Sequence, residues 1–231
     1  MSVTERFNEV QKRVNEACLR AGRDPKKVTI LAVSKTKPAE DIRELLAAGH
    51  RDFGENYVQE LSEKAALIPE ARFHMIGHLQ RNKVRQTLGA AVLIHSVDSL
   101  RLAEEISKES VKKGQVTDIL LEINGGNEES KFGYDFSEAE DAAVAVSSLP
   151  GVHLCGLMCV APFVDDPEKN RPIFRKMFQL AVDIGNKNYD NIDMNVLSMG
   201  MTSDFEVAVE EGATIVRIGT AIFGERNYGR S

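Results

Sequence analysis

The chain has 231 residues, of which 42% are hydrophobic and 28% are charged, and its formal net charge is −6. This composition is that of an ordinary globular protein. It argues against nucleic-acid binding, for which a basic face is expected, and no stretch has the roughly 20 apolar residues of a membrane span. The N-terminus lacks an apolar signal core and the three cysteines are few and odd in number, so we expect a cytoplasmic protein.

Patterns typical of strands and of helices alternate along the whole chain. A helix is predicted over residues 3–21, before the first strand. Strands are then predicted at 28–33, 51–56, 73–76, 91–95, 117–123, 152–160, 195–199 and 214–218. Each of the seven gaps between these strands contains a predicted helix, as parallel strands require.

Eight such units in about 250 residues are typical of a (β/α)8 barrel. We therefore predict an α/β protein in which residues 1–231 form a single TIM-barrel domain with an extra N-terminal helix. An open, doubly wound sheet is the alternative, although neither glycine-rich phosphate-binding motif of that class follows a predicted strand.

The first predicted strand leads into a lysine, Lys35, and Pro38 then begins a helix. Because side chains alternate along a strand, Leu31, Val33 and Lys35 should share one face. Barrels bind their ligands at the carboxyl ends of the strands, which is where this lysine lies. Partial burial would lower its pKa and supply the neutral amine that Schiff-base chemistry needs. The alternative is a solvated lysine in a loop.

The last predicted strand contains a second cation, Arg217, which shares a face with Gly219. In a closed barrel the last strand lies beside the first, at about 4.8 Å, so Arg217 and Lys35 would face the same mouth. Repulsion between the two cations would further lower the pKa of the lysine. The alternative is an ion pair of Arg217 with Glu55 or Glu122 in the barrel core.

The loops after the seventh and eighth strands carry glycine and hydroxyl residues, and barrels often bind phosphate with these two loops. Thr202 and Ser203 follow the seventh strand, and Gly219 and Thr220 follow the eighth. Ser203 and Glu206 have the spacing of a capping box, which predicts that a helix begins there. Its first amides and the hydroxyl groups could hold an anion. The alternative is that these residues only cap a helix.

A lysine amine, an arginine and a phosphate site at one mouth together fit pyridoxal phosphate (PLP) as the cofactor. Because an arginine keeps its proton at any ordinary pH, Arg217 would donate to an unprotonated ring nitrogen and leave the ring a weak electron sink. Such a ring disfavours reactions that need a strongly stabilised carbanion. No metal is expected, because His74 and His78 have zinc-site spacing but straddle a strand end and a loop.

Eight motifs follow one another along nearly the whole chain. They are LAVSKTKP (31–38), FGENYVQE (53–60), HMIGHLQRNK (74–83), IHSVDS (94–99), LEIN (121–124), KFG (131–133), GLMCVAP (156–162) and LSMGMTSDFEVAVEEGATIVRIGTAIFGER (197–226). Together they resemble the YggS/PROSC family of PLP homeostasis proteins, whose fold is like the N-terminal barrel of alanine racemase. The resemblance implies that Lys35 is the Schiff-base lysine and that Arg217 is the partner of the pyridine nitrogen.

The resemblance also implies the other cofactor contacts. They are Ser203, Gly219 and Thr220 at the phosphate, Ser198 and Met199 near it, and Val33, Asn56 and Ile76 along the ring. One position departs from the family, which usually has serine where this chain has Thr202. Threonine keeps the hydroxyl group and adds a methyl group.

The resemblance implies a protein that holds PLP as an aldimine on Lys35 and acts in intracellular PLP (vitamin B6) and amino-acid homeostasis, without robust catalysis. Alanine racemases of this fold have a second, β-rich domain that supplies a catalytic tyrosine, and no segment of this sequence corresponds to it. PLP-dependent apoenzymes are hypothetical recipients of the cofactor, and we expect a monomer or a weak dimer.

Two enzyme hypotheses are kept beside this one. The first is a weak PLP-dependent amino-acid racemase that uses Lys35 alone. The second is a class I aldolase-like enzyme, in which Lys35 attacks the carbonyl group of a sugar phosphate. That reaction needs an acid/base carboxylate beside the lysine, and Glu55 is the candidate in the sequence.

Overall fold

Eight parallel strands close into a barrel in the computed structural model, which describes residues 1–126 and 132–225. The strands are β1 Thr29–Val33, β2 Asp52–Glu55, β3 Arg72–Met75, β4 Leu93–Val97, β5 Thr117–Ile123, β6 Val152–Cys159, β7 Ile192–Ser198 and β8 Ile215–Ile218. Each strand pairs with the next, and β8 pairs with β1, where Arg217 lies opposite Leu31. The predicted barrel is therefore confirmed.

Nine α-helices accompany the strands within the described residues. They are α1 Val3–Arg20, α2 Ala39–Ala47, α3 Val58–Leu67, α4 Val84–Thr87, α5 Leu100–Lys113, α6 Ala139–Ser147, α7 Arg171–Gly185, α8 Phe205–Glu210 and α9 Thr220–Phe223. The first, α1, is the predicted extra helix; Ser2 and Glu5 form its capping box, and it packs on α8 and α9. In this part of the chain, no helix is both long enough and apolar enough to span a bilayer.

The clearest differences from the predicted boundaries concern two strands and one helix. β4 begins at Leu93, two residues later than predicted, and β7 begins at Ile192, three residues earlier. The early part of β7 alternates core-packed residues with exposed ones, so it lacks the continuous apolar run that the prediction used. In the gap between β3 and β4, the basic segment 81–88 is expected to supply the helix, but it forms a 3-10 turn over Arg81–Lys83 followed by the single turn of α4.

The apolar core has two layers. The larger lies between the strands and the surrounding helices and includes Ile42, Phe53 and Phe174, all of them fully buried. The smaller fills the inside of the barrel and consists of Leu31, Leu93, Leu120, Met158 and Ile215. This inner cluster makes the barrel a packed core rather than a pore, so its two ends are separate mouths.

Candidate functional site

A cavity of about 560 Å³ opens at the carboxyl ends of the strands. Its volume is within the range of small-molecule sites. It is lined by Val33, Lys35, Lys37, Asn56, Ile76, Val160, Phe163, Met201, Thr202, Ser203, Arg217, Gly219, Thr220 and Gly224. The residues come from the ends of β1, β2, β3, β6, β7 and β8, from the loops that follow them and from the two ends of α9, so closure of the barrel assembles the site.

The cavity brings together nine of the eleven residues that the sequence predicts as cofactor contacts. The nine are Val33, Lys35, Asn56, Ile76, Thr202, Ser203, Arg217, Gly219 and Thr220. The other two lie behind the cavity wall, where both are fully buried. Ser198 contacts Arg217 there, and Met199 packs into the larger apolar layer.

The turn that carries Lys35 is held in place from α3. Thr36 has a left-handed backbone, with a φ of 62°, and its N–H donates to Glu60 at 2.6 Å. Lys64 donates to the carbonyl oxygen of Ser34 at 2.7 Å and to Glu60 at 2.7 Å. A β-branched residue rarely adopts this conformation, so these bonds hold the turn against its local preference. The helix therefore fixes the residues on both sides of the half-buried Lys35.

Glu55 faces away from the cavity, towards α3. Its Oε1 accepts from the Ser34 hydroxyl at 2.6 Å and from Lys64 Nζ at 2.8 Å, and burial raises its pKa. The alternation of β2 explains this position, because Gly54 faces the inside of the barrel, where an added Cβ would meet Leu31. Glu55 is therefore not placed as the acid/base carboxylate that the aldolase-like hypothesis needs, and the alternative of an ion pair between Glu55 and Arg217 is wrong.

Arg217 is almost fully buried, and oxygen atoms hold its guanidinium group. Nη1 donates to the carbonyl oxygen of Ser198 at 2.6 Å and to its hydroxyl at 2.7 Å, and Nη2 donates to the carbonyl oxygen of Cys159 at 2.7 Å. Burial lowers the pKa of Arg217, but an arginine in a protein stays protonated. Among the described residues, these bonds occupy three of its five N–H donors and leave two.

Glu122 is the acidic neighbour of Arg217. Both residues lie in the described part of the chain, and they form no ion pair with each other. Burial and the nearby Asp98 raise the pKa of Glu122 to about 7, against the opposing effect of Arg217. The second alternative for Arg217, an ion pair with Glu122 in the barrel core, is therefore wrong as well.

The two loops predicted to hold an anion both line the cavity, but the predicted capping box is absent. α8 begins at Phe205, and its N-cap residue, Asp204, makes no side-chain capping bond. The carboxylate of Asp204 instead accepts from the Met201 N–H at 2.7 Å and thereby holds the turn. Glu206 pairs with Arg13 of α1 at 2.7 Å, so a contact distant in sequence takes the place of the local one. Ser203 remains exposed at the cavity rim.

Comparison with known proteins places this barrel in a family. The family described as "Alanine racemase, N-terminal domain" matches residues 9–227. The pyridoxal phosphate homeostasis protein of Aquifex aeolicus is 44% identical over 99% of this chain and 100% of its own length. The chain belongs to the pyridoxal phosphate homeostasis protein family.

Solved structures of similar proteins extend this family assignment. PipY of Synechococcus elongatus PCC7942, solved with PLP bound, is 35% identical and has a TM-score of 0.79 over 93% of this chain and 100% of its own. Alanine racemase of Clostridium difficile 630 is only 13% identical, with a TM-score of 0.73 over 98% of this chain and 57% of its own. That second likeness shows that this chain shares its fold with alanine racemase.

Five residues line the cavity of this family member without having been predicted. They are Lys37, Val160, Phe163, Met201 and Gly224. Lys37 donates to the carbonyl oxygens of Phe223, Gly224 and Glu225 at 3.1, 3.3 and 3.1 Å, which ties the loop after β1 to the end of α9. Strand alternation gives no signal for it, because β1 ends at Val33 and the left-handed Thr36 lies between Lys35 and Lys37.

The backbone of Asn56 approaches Gly77 too closely for any side chain there. A Cβ at Gly77 would lie 2.3 Å from the carbonyl oxygen of Asn56. The loop after β3 can therefore pack against the backbone of a cavity residue only because position 77 is glycine.

A larger cleft, of about 610 Å³, lies outside the barrel beside α7 and the start of β7. The one cation among its lining residues is Arg23, whose guanidinium donates to the carbonyl oxygens of Val209 and Gly212. Volume alone would favour this cleft, but the amine, the guanidinium and the hydroxyl-bearing loops that the sequence singles out meet at the barrel mouth.

Proposed function

We propose that this protein holds PLP at the barrel mouth through Lys35 and acts in intracellular PLP (vitamin B6) and amino-acid homeostasis. The observation that carries the proposal is the single cavity lined by Lys35, Arg217 and the two hydroxyl-bearing loops. The relatives named pyridoxal phosphate homeostasis protein and the PLP-bound PipY structure support it. When bound, the cofactor supplies an aldehyde that condenses with the lysine amine and releases water.

The side chains around the cavity match the chemical groups of PLP. Arg217 has unused N–H donors that can face a ring nitrogen, and it cannot accept a hydrogen bond. The hydroxyl groups of Thr202, Ser203 and Thr220 and the backbone at Gly219 are suited to a phosphate group. Because Arg217 leaves the ring nitrogen unprotonated, the site favours retention of the cofactor over robust catalysis.

The test begins with the visible absorbance spectrum of the full chain loaded with PLP. We expect a yellow band that borohydride bleaches, and peptide mass mapping should then find a phosphopyridoxyl group on Lys35. The Lys35→Ala variant should lose both signals. The Lys27→Ala variant, which removes an exposed lysine before the opposite end of β1, should keep both. A wild-type protein that cannot be loaded with PLP would refute the proposal.

A weak amino-acid racemase remains the second candidate, and the fold shared with alanine racemase favours it. Racemisation needs proton-transfer groups on both faces of the cofactor, and Lys35 is the one that the sequence predicts. We expect the loaded protein to exchange the α-proton of L-alanine for deuterium no faster than free PLP does. A faster rate that disappears in Lys35→Ala would establish the enzyme instead.

Three finer points belong to the same proposal. All three cysteines, Cys18, Cys155 and Cys159, are free thiols, which supports a reducing, cytoplasmic location.

PLP-dependent apoenzymes are the proposed recipients of the cofactor, and the protein is proposed to act as a monomer or a weak dimer. Transfer of PLP to an apoenzyme kept behind a dialysis membrane, compared with transfer in one compartment, would separate free release from direct delivery.

A further inference from the structure

A chain of hydrogen bonds crosses the inside of the barrel from Arg217 towards the opposite mouth. The Ser198 hydroxyl, which contacts Arg217, lies 2.9 Å from His95 Nδ1. His95 Nε2 lies 2.9 Å from His74 Nδ1, and His74 Nε2 lies 3.4 Å from Asp52 Oδ1. The two histidines and the serine are buried, and none of these residues except Arg217 lines the cavity.

The direction of these hydrogen bonds follows from their first member. Arg217 can only donate, so the Ser198 hydroxyl accepts from it and is free to donate its own proton to His95 Nδ1. His95 then carries its proton on Nε2 and donates to His74 Nδ1. His74 in turn carries its proton on Nε2 and donates to Asp52. In this arrangement every proton has an acceptor, whereas the reverse direction would leave the Ser198 proton without one among these groups.

The charges at both ends agree with this direction. Burial, together with the nearby His74 and Arg217, lowers the pKa of His95 well below its ordinary value, so His95 is neutral. At the far end burial would raise the pKa of Asp52, but hydrogen bonds from His74 and Arg72 outweigh it and lower the value to about 2. Arg72 makes two hydrogen bonds to Asp52, at 2.8 and 2.6 Å, so the chain ends on an anchored carboxylate.

We propose that Ser198, His95 and His74 are positioning residues that aim the Arg217 guanidinium at the ring nitrogen of the cofactor, with the Asp52–Arg72 pair as their fixed anchor. This inference rests on the proposed PLP function. It assigns a role in cofactor recognition to side chains that never touch the cofactor, because second-sphere hydrogen bonds set the orientation of the groups that do.

The first test needs no cofactor. Nitrogen-15 NMR of the histidine rings in the apoprotein should show His74 and His95 as neutral rings with the proton on Nε2 and a lone pair on Nδ1. A proton on Nδ1 of His95 would overturn the proposed direction. Since this spectrum is recorded without PLP, it tests the chain of hydrogen bonds even if the proposed function fails.

The second test uses variants of β4. His95→Phe should weaken PLP binding roughly tenfold and shift the absorbance maximum of the bound cofactor, because the Ser198 proton loses its acceptor. His95→Gln, whose amide offers an acceptor oxygen and a donor NH2 group, should restore part of both. Ile94→Val is the matched control: it removes one buried methyl group on the neighbouring, outward-packed position and should leave affinity and spectrum unchanged.

Two results would count against the positioning role. One is a His95→Phe protein whose PLP affinity and spectrum equal those of Ile94→Val. The other concerns Ser198→Ala, which replaces His95→Phe if that variant does not fold. Ser198→Ala breaks the same link with a smaller change, and it should weaken PLP binding roughly threefold to tenfold. Unchanged affinity in Ser198→Ala would then refute the role. A wild-type protein that does not bind PLP would instead refute the proposed function.

Discussion

The two mouths of this barrel use charged side chains in opposite ways. At the amino-terminal mouth, polar side chains on neighbouring strands contact each other: Arg72 pairs with Asp52, and the His153 ring lies close to both Asp118 and Asp193. At the carboxyl mouth, the guanidinium of Arg217 is held by carbonyl and hydroxyl oxygens and retains N–H donors beside an open cavity. Inward-facing side chains therefore pair with each other at the amino-terminal end of the barrel. At the carboxyl end they leave hydrogen-bond donors for a ligand.

One pair of matched substitutions tests this contrast directly, and we expect it to give the largest effect. Arg217→Lys keeps the charge but loses the planar fork of the guanidinium, so PLP binding should weaken about 50-fold. Arg72→Lys makes the same change at the other mouth, where a lysine can still pair with Asp52. It should alter PLP affinity less than about twofold. Titration of each apoprotein with PLP, followed by absorbance, measures both values.

Equal losses of affinity in the two variants would contradict the contrast between the mouths. An unchanged affinity in Arg217→Lys would show that recognition of the ring nitrogen does not need the planar guanidinium group. Thermal unfolding of both apoproteins is the control, because a general loss of folding would lower the apparent affinity in either case.

The next effect concerns stability and pH, and it compares two acids on one strand. Glu122 and Asp118 share the inner face of β5, with Glu122 towards the cavity and Asp118 at the amino-terminal mouth. Because the pKa of Glu122 is raised to about 7 in the folded protein, the folded state binds more protons than the unfolded state between about pH 4.5 and 7. Its contribution to stability is therefore full at low pH and is lost as the pH rises through 7.

Glu122→Gln should remove this loss. We expect the variant to be more stable than the wild type by about 1–2 kcal/mol at pH 8 and to gain nothing at pH 4. Asp118→Asn, at the other mouth, should not remove the loss. Urea unfolding of the three proteins between pH 4 and 8 measures the difference. A Glu122→Gln advantage that is equal at pH 4 and pH 8 would contradict a raised pKa.

The sequence predicted the barrel and the meeting of Lys35 with Arg217 for the same physical reason. Closure of eight strands brings β8 beside β1, and alternation within each strand then fixes which side chains face the mouth. The repeated order of strands and helices and the alternation within a strand are both visible in the sequence. The two alternatives that placed Glu55 beside Lys35 or Arg217 were wrong. The same alternation, applied to β2, would have turned Glu55 away from both residues.

Other features depended on contacts that no local pattern contains. The link between His95 and Ser198 joins β4 to β7 across the inside of the barrel, so it depends on the register of strands that are not neighbours. Glu206 does not form the predicted capping box; it pairs instead with Arg13, which is 193 residues away in sequence. Such pairings follow from the closed fold, and they become visible only when the fold is known.

The smallest expected effect lies at the amino-terminal mouth. His153 Nδ1 lies 3.0 Å from Asp118 and Nε2 lies 3.3 Å from Asp193, but both carboxylates are more than half exposed. Contacts of such exposed groups contribute little, so His153→Gln should lower the free energy of unfolding by only about 0.5 kcal/mol. PLP affinity should not change. A His153→Gln protein that loses PLP affinity would show that the two mouths are coupled through the barrel core, and the paired charges at the amino-terminal end would then have a part in the binding site.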